Sequence, residues 1–405
     1  MICTTRYPSL RWPALLAAFL TAALVIACGG GGVDTGGTGA PVSAYSSGRV
    51  TGFGSIVVND VHYDESGATI TDDAGRRRTA SELQLGMTVE VEAGEVSVDS
   101  TGRATSVATR VQFASHIAGP VESVDAVAGT LRVLGQTVDV DLDTVLHGFS
   151  GGLAGVSPND LVEVYAFLDP TTGRYAATRL EQAGALSTYK LRGRVTQLDT
   201  VAQTFAIGDA IISYAGIEGT LPQLANGTMA RVELQSARQA GVWVASRLHT
   251  SLPVLAERVK ADIEGYVTDF ASLADFTING TRVDASGTNV VFRRGNPSQV
   301  ADGVRIEVEG RMQDGVLVAE RVTIKKAKRG SAGSDEREAF VLEGRVGGRN
   351  PAAGNFLVRG VQVVFDDRTR FEGGTADTLD DGDSVAVTGT LENGNTLRAT
   401  DISIK

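Results

Sequence analysis

The chain has 405 residues, 42% of them hydrophobic and 21% charged, with 49 Gly, 10 Pro and 2 Cys. That is the composition of a globular protein and excludes a disordered or collagen-like chain. Its formal net charge of −11 weighs against a nucleic-acid backbone or an anionic membrane surface as the main partner, so no nucleic acid is expected.

The first forty residues read as an export signal and an anchor. Arg6 and Arg11 precede an uncharged stretch, residues 14–27, rich in Ala and Leu and shorter than the roughly 20 residues that cross a bilayer core. It ends in Val25-Ile26-Ala27-Cys28. This string is similar to the lipobox of bacterial lipoproteins, with Ile26 where a small or polar residue is usual. The resemblance implies cleavage after Ala27, a diacylglycerol on the Cys28 thiol and acylation of the new amino group. It makes Cys28 the one site residue expected here and the membrane a partner through that lipid. Gly29 follows the Cys, which in enterobacterial sorting implies the outer membrane, on its periplasmic or surface face.

Removing the signal peptide, residues 1–27, also removes Cys3, so the mature chain has no second thiol for an internal disulfide. Residues 28–47 hold the Cys and a Gly-rich run too poor in apolar groups to pack a core, which predicts a flexible tether.

The remainder repeats one pattern five times. Each copy opens with G-x-V, at Gly48-Arg49-Val50, Gly119-Pro120-Val121, Gly193-Arg194-Val195, Gly265-Tyr266-Val267 and Gly344-Arg345-Val346. An apolar pair and a Gly-centred turn follow, as in Phe205-Ala206-Ile207-Gly208 and Phe356-Leu357-Val358-Arg359-Gly360; copy one departs, with Ser55-Ile56-Val57-Val58-Asn59-Asp60. Next comes an alternating strand such as Gly303-Val304-Arg305-Ile306-Glu307-Val308. The copy closes on Ala108-Thr109-Arg110-Val111, Ala177-Thr178-Arg179-Leu180, Ala245-Ser246-Arg247-Leu248, Ala319-Glu320-Arg321-Val322 or Ala399-Thr400-Asp401-Ile402. Leu317 and Ala319 share one phase of period two, whereas Val322 and Ile324 fall in the other. That switch predicts a bulge near the Arg/Asp position in every copy.

Period-two runs bounded by Gly, Asn and Asp, without a helical stripe, predict an all-β protein. Five or six short strands in about 60 residues suit a small OB-like β-barrel better than a sandwich of about 100 residues. The expected order is a tandem array with modules at 48–113, 119–182, 193–250 and 265–324, a linker at 325–343 and a last module at 344–405. The joining segments lengthen along the chain, which predicts beads on linkers rather than a stacked solenoid.

These motifs resemble the bacterial family catalogued as domain of unknown function 5666, often found in tandem on exported lipoproteins. The resemblance covers residues 48–405 and implies no catalytic residues.

Candidate sites give bland readings. Gly148-Phe149-Ser150-Gly151-Gly152 with His147 matches G-x-S-x-G, but that motif needs a strand, a turn and a helix, and here a flexible Gly-rich loop is expected. His62, His116, His147 and His249 fall at unrelated repeat positions, so no repeat-borne metal or acid–base site is expected. In Asp377-Thr378-Leu379-Asp380-Asp381-Gly382-Asp383 the third position of a calcium loop is Leu379, so a tight Asp-Gly turn is expected. Lys325-Lys326-Ala327-Lys328-Arg329 reads as a solvated linker, with lipid phosphates as the alternative. Arg76-Arg77-Arg78 reads as a charged turn. The recurring Arg110, Arg179, Arg247 and Arg321 read as local salt bridges or exposed bulge residues rather than a ligand row, since copy five has Asp401. No cofactor or metal is expected. The expected function is a non-catalytic, lipid-anchored envelope array that spaces or binds an unknown protein or glycan. The alternatives are an oligosaccharide binder and an enzyme with its site between modules.

Overall fold

The computed structural model describes residues 44–100, 102–217, 222–250, 255, 259–326 and 337–405; Cys28, the signal peptide and most of the tether lie outside them. The described residues form strands, turns and four short 3-10 turns.

Alternation builds each strand. In Thr88–Ala93, Val89, Val91 and Ala93 face the interior while Glu90 and Glu92 face out. Five such strands close into a ring, most fully seen in module 2. Its opening strand Ile117–Asp125 pairs antiparallel with the second strand Thr130–Val133, which turns through Leu134 and Gly135 into the third, Gln136–Asp139. The third strand runs parallel to the closing strand Arg174–Gln182, as does the short strand Val145–His147. The closing strand pairs antiparallel with the fourth strand Leu161–Asp169, and the fourth returns to the opening strand. This order, with its parallel contact between third and closing strands, is that of an OB-type barrel, and closure leaves no free edge. The other four modules close in the same ring, through Ala44–Phe53 and Ala104–Phe113 in module 1, Thr188–Arg194 and Trp243–His249 in module 3, Lys260–Ser272 and Val316–Lys326 in module 4, and Phe340–Asn350 and Thr396–Ile404 in module 5.

The motifs now have physical reasons. The Val of every G-x-V is buried in its barrel. The Gly beside it lies beneath the hairpin turn: a Cβ at Gly48 would meet Asn59 at 2.3 Å, and one at Gly193 would meet Ile207 at 2.4 Å. The middle residue points outwards. In all five closing strands the expected bulge is present. Thr109, Thr178, Ser246, Glu320 and Thr400 are each skipped between two paired neighbours, which carries the strand from one phase to the other. The hydroxyls of Thr109, Ser246 and Thr400 donate to the carbonyls of Glu92, Glu233 and Thr388, at 3.0, 3.2 and 3.1 Å.

The expected beads on linkers are corrected by the structure: the described residues from Ala44 to Lys405 belong to one compact unit. The opening strand of module 1 reaches past its own barrel and pairs in parallel with that of module 4 (Ala44 with Lys260 through Ser47 with Ile263) and that of module 5 (Gly52 with Val341, Phe53 with Leu342). Modules 2 and 3 join at Ile117 with Leu191 and Ala118 with Lys190. Their interiors merge accordingly, with modules 1 and 5 sharing one apolar core and modules 2 and 3 another.

Only the ends of the expected linker at 325–343 are described, residues 327–336 lying outside the described residues. Lys325 and Lys326 continue the closing strand of module 4, and Phe340 already belongs to the opening strand of module 5. Lys325 is not solvated: its ammonium lies 2.6 Å from Glu307 in a site where both side chains are under 10% exposed. Around it a buried ionic cluster ties modules 1, 4 and 5. Arg305 pairs with Glu264 at 2.6 Å, Arg49 with Glu338 at 2.7 Å, and Asn59 donates to Asp262 at 3.1 Å. Burial opposes ionisation of Glu338, but Arg49, then Lys325 and Arg305, hold its pKa down at about 2. Burial, and then Glu307, push the Asp262 pKa well up.

Candidate functional site

Packing the barrels together encloses a cleft of about 1080 Å³ lined by modules 1, 2, 3 and 4. Module 3 supplies one wall. Its opening strand has period two, so Arg192 and Arg194 point to the same side of the strand, outside the barrel that Leu191 and Val195 fill. Directly opposite Arg192 in register stands Arg231 on the fourth strand, and opposite Arg231 stands His249 on the closing strand. Module 1 contributes Tyr45, Asp73, Glu90 and Arg110, module 2 His116 and Phe167, and module 4 Tyr266, Asp269 and Asn279.

The backbone of Arg192 is fixed between modules. Its N–H donates to the His116 carbonyl at 2.8 Å, and its own carbonyl accepts from the Tyr175 hydroxyl at 2.7 Å. Asp73 takes two cations, Lys190 at 3.1 Å and Arg231 at 3.4 Å. Arg110 pairs with Glu92 at 2.6 Å and Arg247 with Glu233 at 3.7 Å. Arg192 and Arg194 have no carboxylate at ion-pair distance among the described residues, and Arg194 Nε is buried without a hydrogen-bond partner. His116 Nδ1 is likewise buried and unpartnered. Burial, with Arg192 and Lys190 adding positive charge, pushes the His116 pKa down to about 3. Burial, then Arg231, lowers that of His249. Both rings are therefore neutral at physiological pH.

The sequence-derived candidates fall elsewhere or behave as expected. Ser150 lies in the loop between strand Val145–His147 and a 3-10 turn, so the strand, turn and helix of a hydrolase nucleophile are not there. Asp72 organises the Arg76–Arg78 turn, accepting from Arg76 Nε and Arg78 Nη2, each at 2.8 Å. Gly382, at φ 97°, donates its N–H to the Val346 carbonyl while Asp383 accepts from Asp380 N, a tight turn. The recurring Arg of the closing strand makes local ion pairs: Arg110 with Glu92, Arg179 with Glu181, Arg247 with Glu233 and Arg321 with Glu309. In module 5 Asp401 answers Arg370 at 2.5 Å. Cys28 lies outside the described residues. The cleft itself was missed: His116 and His249, unrelated in the repeat, meet at it. The one signal that pointed there is the outward middle residue of G-x-V, which puts Arg194 and Tyr266 on its walls.

The family described as Domain of unknown function (DUF5666) matches residues 41–111, 118–181, 264–323 and 343–403, more than half of the chain, with module 3 outside the matched segments. Among solved structures, "drosophila Unr CSD456" is 14% identical, the match covering 52% of this chain and 97% of that one at a TM-score of 0.14. No curated protein matches the chain.

Proposed function

The chain belongs to the DUF5666 family, and on that footing we propose that it is a non-catalytic, lipid-anchored cell-envelope protein whose barrels form one binding body. The observation that carries the binding role is the cleft assembled from four modules. A pure spacer needs only end-to-end barrels, whereas here opening strands pair module 1 with module 4 and module 2 with module 3, and Asp73 of module 1 pairs with Lys190 and Arg231 of module 3. Its arginines and carboxylates are mostly committed to each other, an arrangement that fixes donors and acceptors for recognition. The anchor is supported by Arg6, Arg11, the apolar run over residues 14–27 and Cys28.

The anchor is tested by growing cells on labelled palmitate and fractionating them. The chain is expected to carry label and sediment with membranes, and Cys28→Ala is expected to lose both. An unlabelled wild-type chain, or Cys28→Ala that still sediments with membranes, would refute it. Protease shaving of intact and permeabilised cells, with a tag after Lys405, then gives the face on which the body sits.

A further inference from the structure

The geometry assigns the cleft an anionic oligosaccharide, held by a carboxylate or phosphate of the sugar between Arg192, Arg194 and Arg231. This rests on the reading of the cleft as a binding site and names its ligand.

Arg192 and Arg231 face each other directly across two antiparallel strands, a like-charge placement that weakens a sheet. Asp73 neutralises one of them, Arg231, and shares itself with Lys190. Among the described residues the guanidinium groups of Arg192 and Arg194, on one strand face, therefore have no carboxylate at ion-pair distance, and Arg194 Nε is a buried donor with nothing to receive it. A planar fork of donors matches a carboxylate or phosphate. Leaving a donor buried and unpaired is costly, and a bound oxyanion removes that cost. His116 Nδ1, unpartnered beside them, is a further polar contact for a ligand.

The rest of the lining points to sugar. Tyr45 and Tyr266 give apolar faces, and Thr281 and Asn279 give neutral polar groups for hydroxyls, while Thr268 and Thr277 bond each other. The cavity is at the upper end of the roughly 300–1,000 Å³ of small-ligand sites, room for several rings. The walls set four carboxylates, Asp73, Glu90, Glu233 and Asp269, against five arginines, Arg110, Arg192, Arg194, Arg231 and Arg247, which does not match a nucleic-acid strand with a charge at every residue. One or two anionic groups among hydroxyls suit those walls better.

The test is calorimetric titration of the detergent-solubilised full chain with four probes: a tetrasaccharide carrying one uronic acid, a neutral tetrasaccharide of the same length, sodium phosphate, and single-stranded oligothymidylate. The uronic tetrasaccharide is expected to bind, and Arg192→Gln and Arg194→Gln to weaken it about tenfold or more each. Arg370→Gln, which removes an exposed arginine paired with Asp401 in module 5, a module that does not line the cleft, should leave affinity unchanged. Arg192→Gln should also melt no lower than the native chain, because it relieves the Arg192–Arg231 repulsion; Arg194→Lys, which keeps charge and loses the fork, should weaken binding without unfolding the protein. Equal affinity for the neutral tetrasaccharide would overturn the anionic assignment while leaving a binding cleft. Phosphate binding as tightly as the saccharide would reduce the site to an anion pocket, and oligothymidylate alone binding would overturn the sugar. No binding by any probe would end both this inference and the cleft as a binding site, with the lipid anchor still judged by its own experiment.

Discussion

Arg49 and Glu338 belong to opposite ends of the array and meet at 2.7 Å, with the arginine side chain 4% exposed. Arg49 also stacks on Phe340 and donates to the Asp143 carbonyl of module 2, so one side chain touches three modules. Removing one partner strands a buried charge. Arg49→Met or Glu338→Leu alone should cost about 3–5 kcal/mol in urea unfolding, and the double variant should recover much of that, since the desolvation of both charges disappears together. Additive losses would show that the pair does not couple. The Glu338 pKa of about 2 fixes the pH dependence: its contribution is present above its unfolded value of 4.5 and is lost as pH falls toward 2.

Gly86 and Gly227 occupy the same turn of the repeat, both in the left-handed region, at φ 81° and 91°. Their surroundings differ. A Cβ at Gly227 meets nothing within 4 Å, whereas one at Gly86 would lie 2.5 Å from the Thr178 carbonyl and 2.8 Å from Val145 in module 2. Gly227→Ala should therefore cost only the backbone strain, about 1 kcal/mol. Gly86→Ala should cost clearly more, because backbone of a second module must move, and should raise proteolysis between modules 1 and 2. Equal losses at the two positions would mean that the contact between these modules is soft.

The bulge at Thr400 sets the phase of the last strand. Ala399 and Leu397 face the core before it and Ile402 after it. Deleting Thr400 makes the pairing regular and leaves Ile402 on the core side, two places after Ala399, but removes the local bend of the bulge, so module 5 should close poorly, seen as a lowered unfolding midpoint. Thr400→Ala keeps the extra residue and loses one hydroxyl bond to the Thr388 carbonyl, a cost of about 1 kcal/mol. A deletion variant as stable as the native chain would show that the barrel closes without the bend.

Barrel, ring closure and bulges were legible because they are local and recur: the outward Glu of Thr88–Ala93, the Gly beneath each hairpin and the phase switch after Ala319 are readable from one copy and checked by four more. The single body was not legible. Its contacts are made once, by residues that the repeat does not distinguish. Arg49, Arg194 and Arg345 hold the same motif position, yet the first is buried in an ion cluster, the second lines the cleft and the third reaches the Gly382 carbonyl on the surface. The growing spacers misled for a physical reason: Lys325 and Lys326 look like a solvated basic run, but here they extend the closing strand of module 4, and carboxylates gathered from distant segments cover the ammonium of Lys325.

The cleft histidines give the protein an acid response above the range where Glu338 titrates. His116 is a base whose folded pKa lies at about 3, through burial and then Arg192 and Lys190, against 6.5 in the unfolded chain. The unfolded state therefore binds the proton first. Stability from this group is fully present above pH 6.5 and falls as pH drops toward 3. His249, lowered by burial and Arg231, and His62, lowered by burial and Arg103, act in the same direction. Between pH 6.5 and 4.5 the His116 contribution should be about 1–3 kcal/mol. His116→Gln should flatten the slope of unfolding free energy against pH in that window while leaving the loss below pH 4.5, which belongs to Glu338 and its neighbours. An unchanged slope would mean that the ring takes up a proton in the folded cleft as readily as in water, and that Arg192 and Lys190 are screened from it.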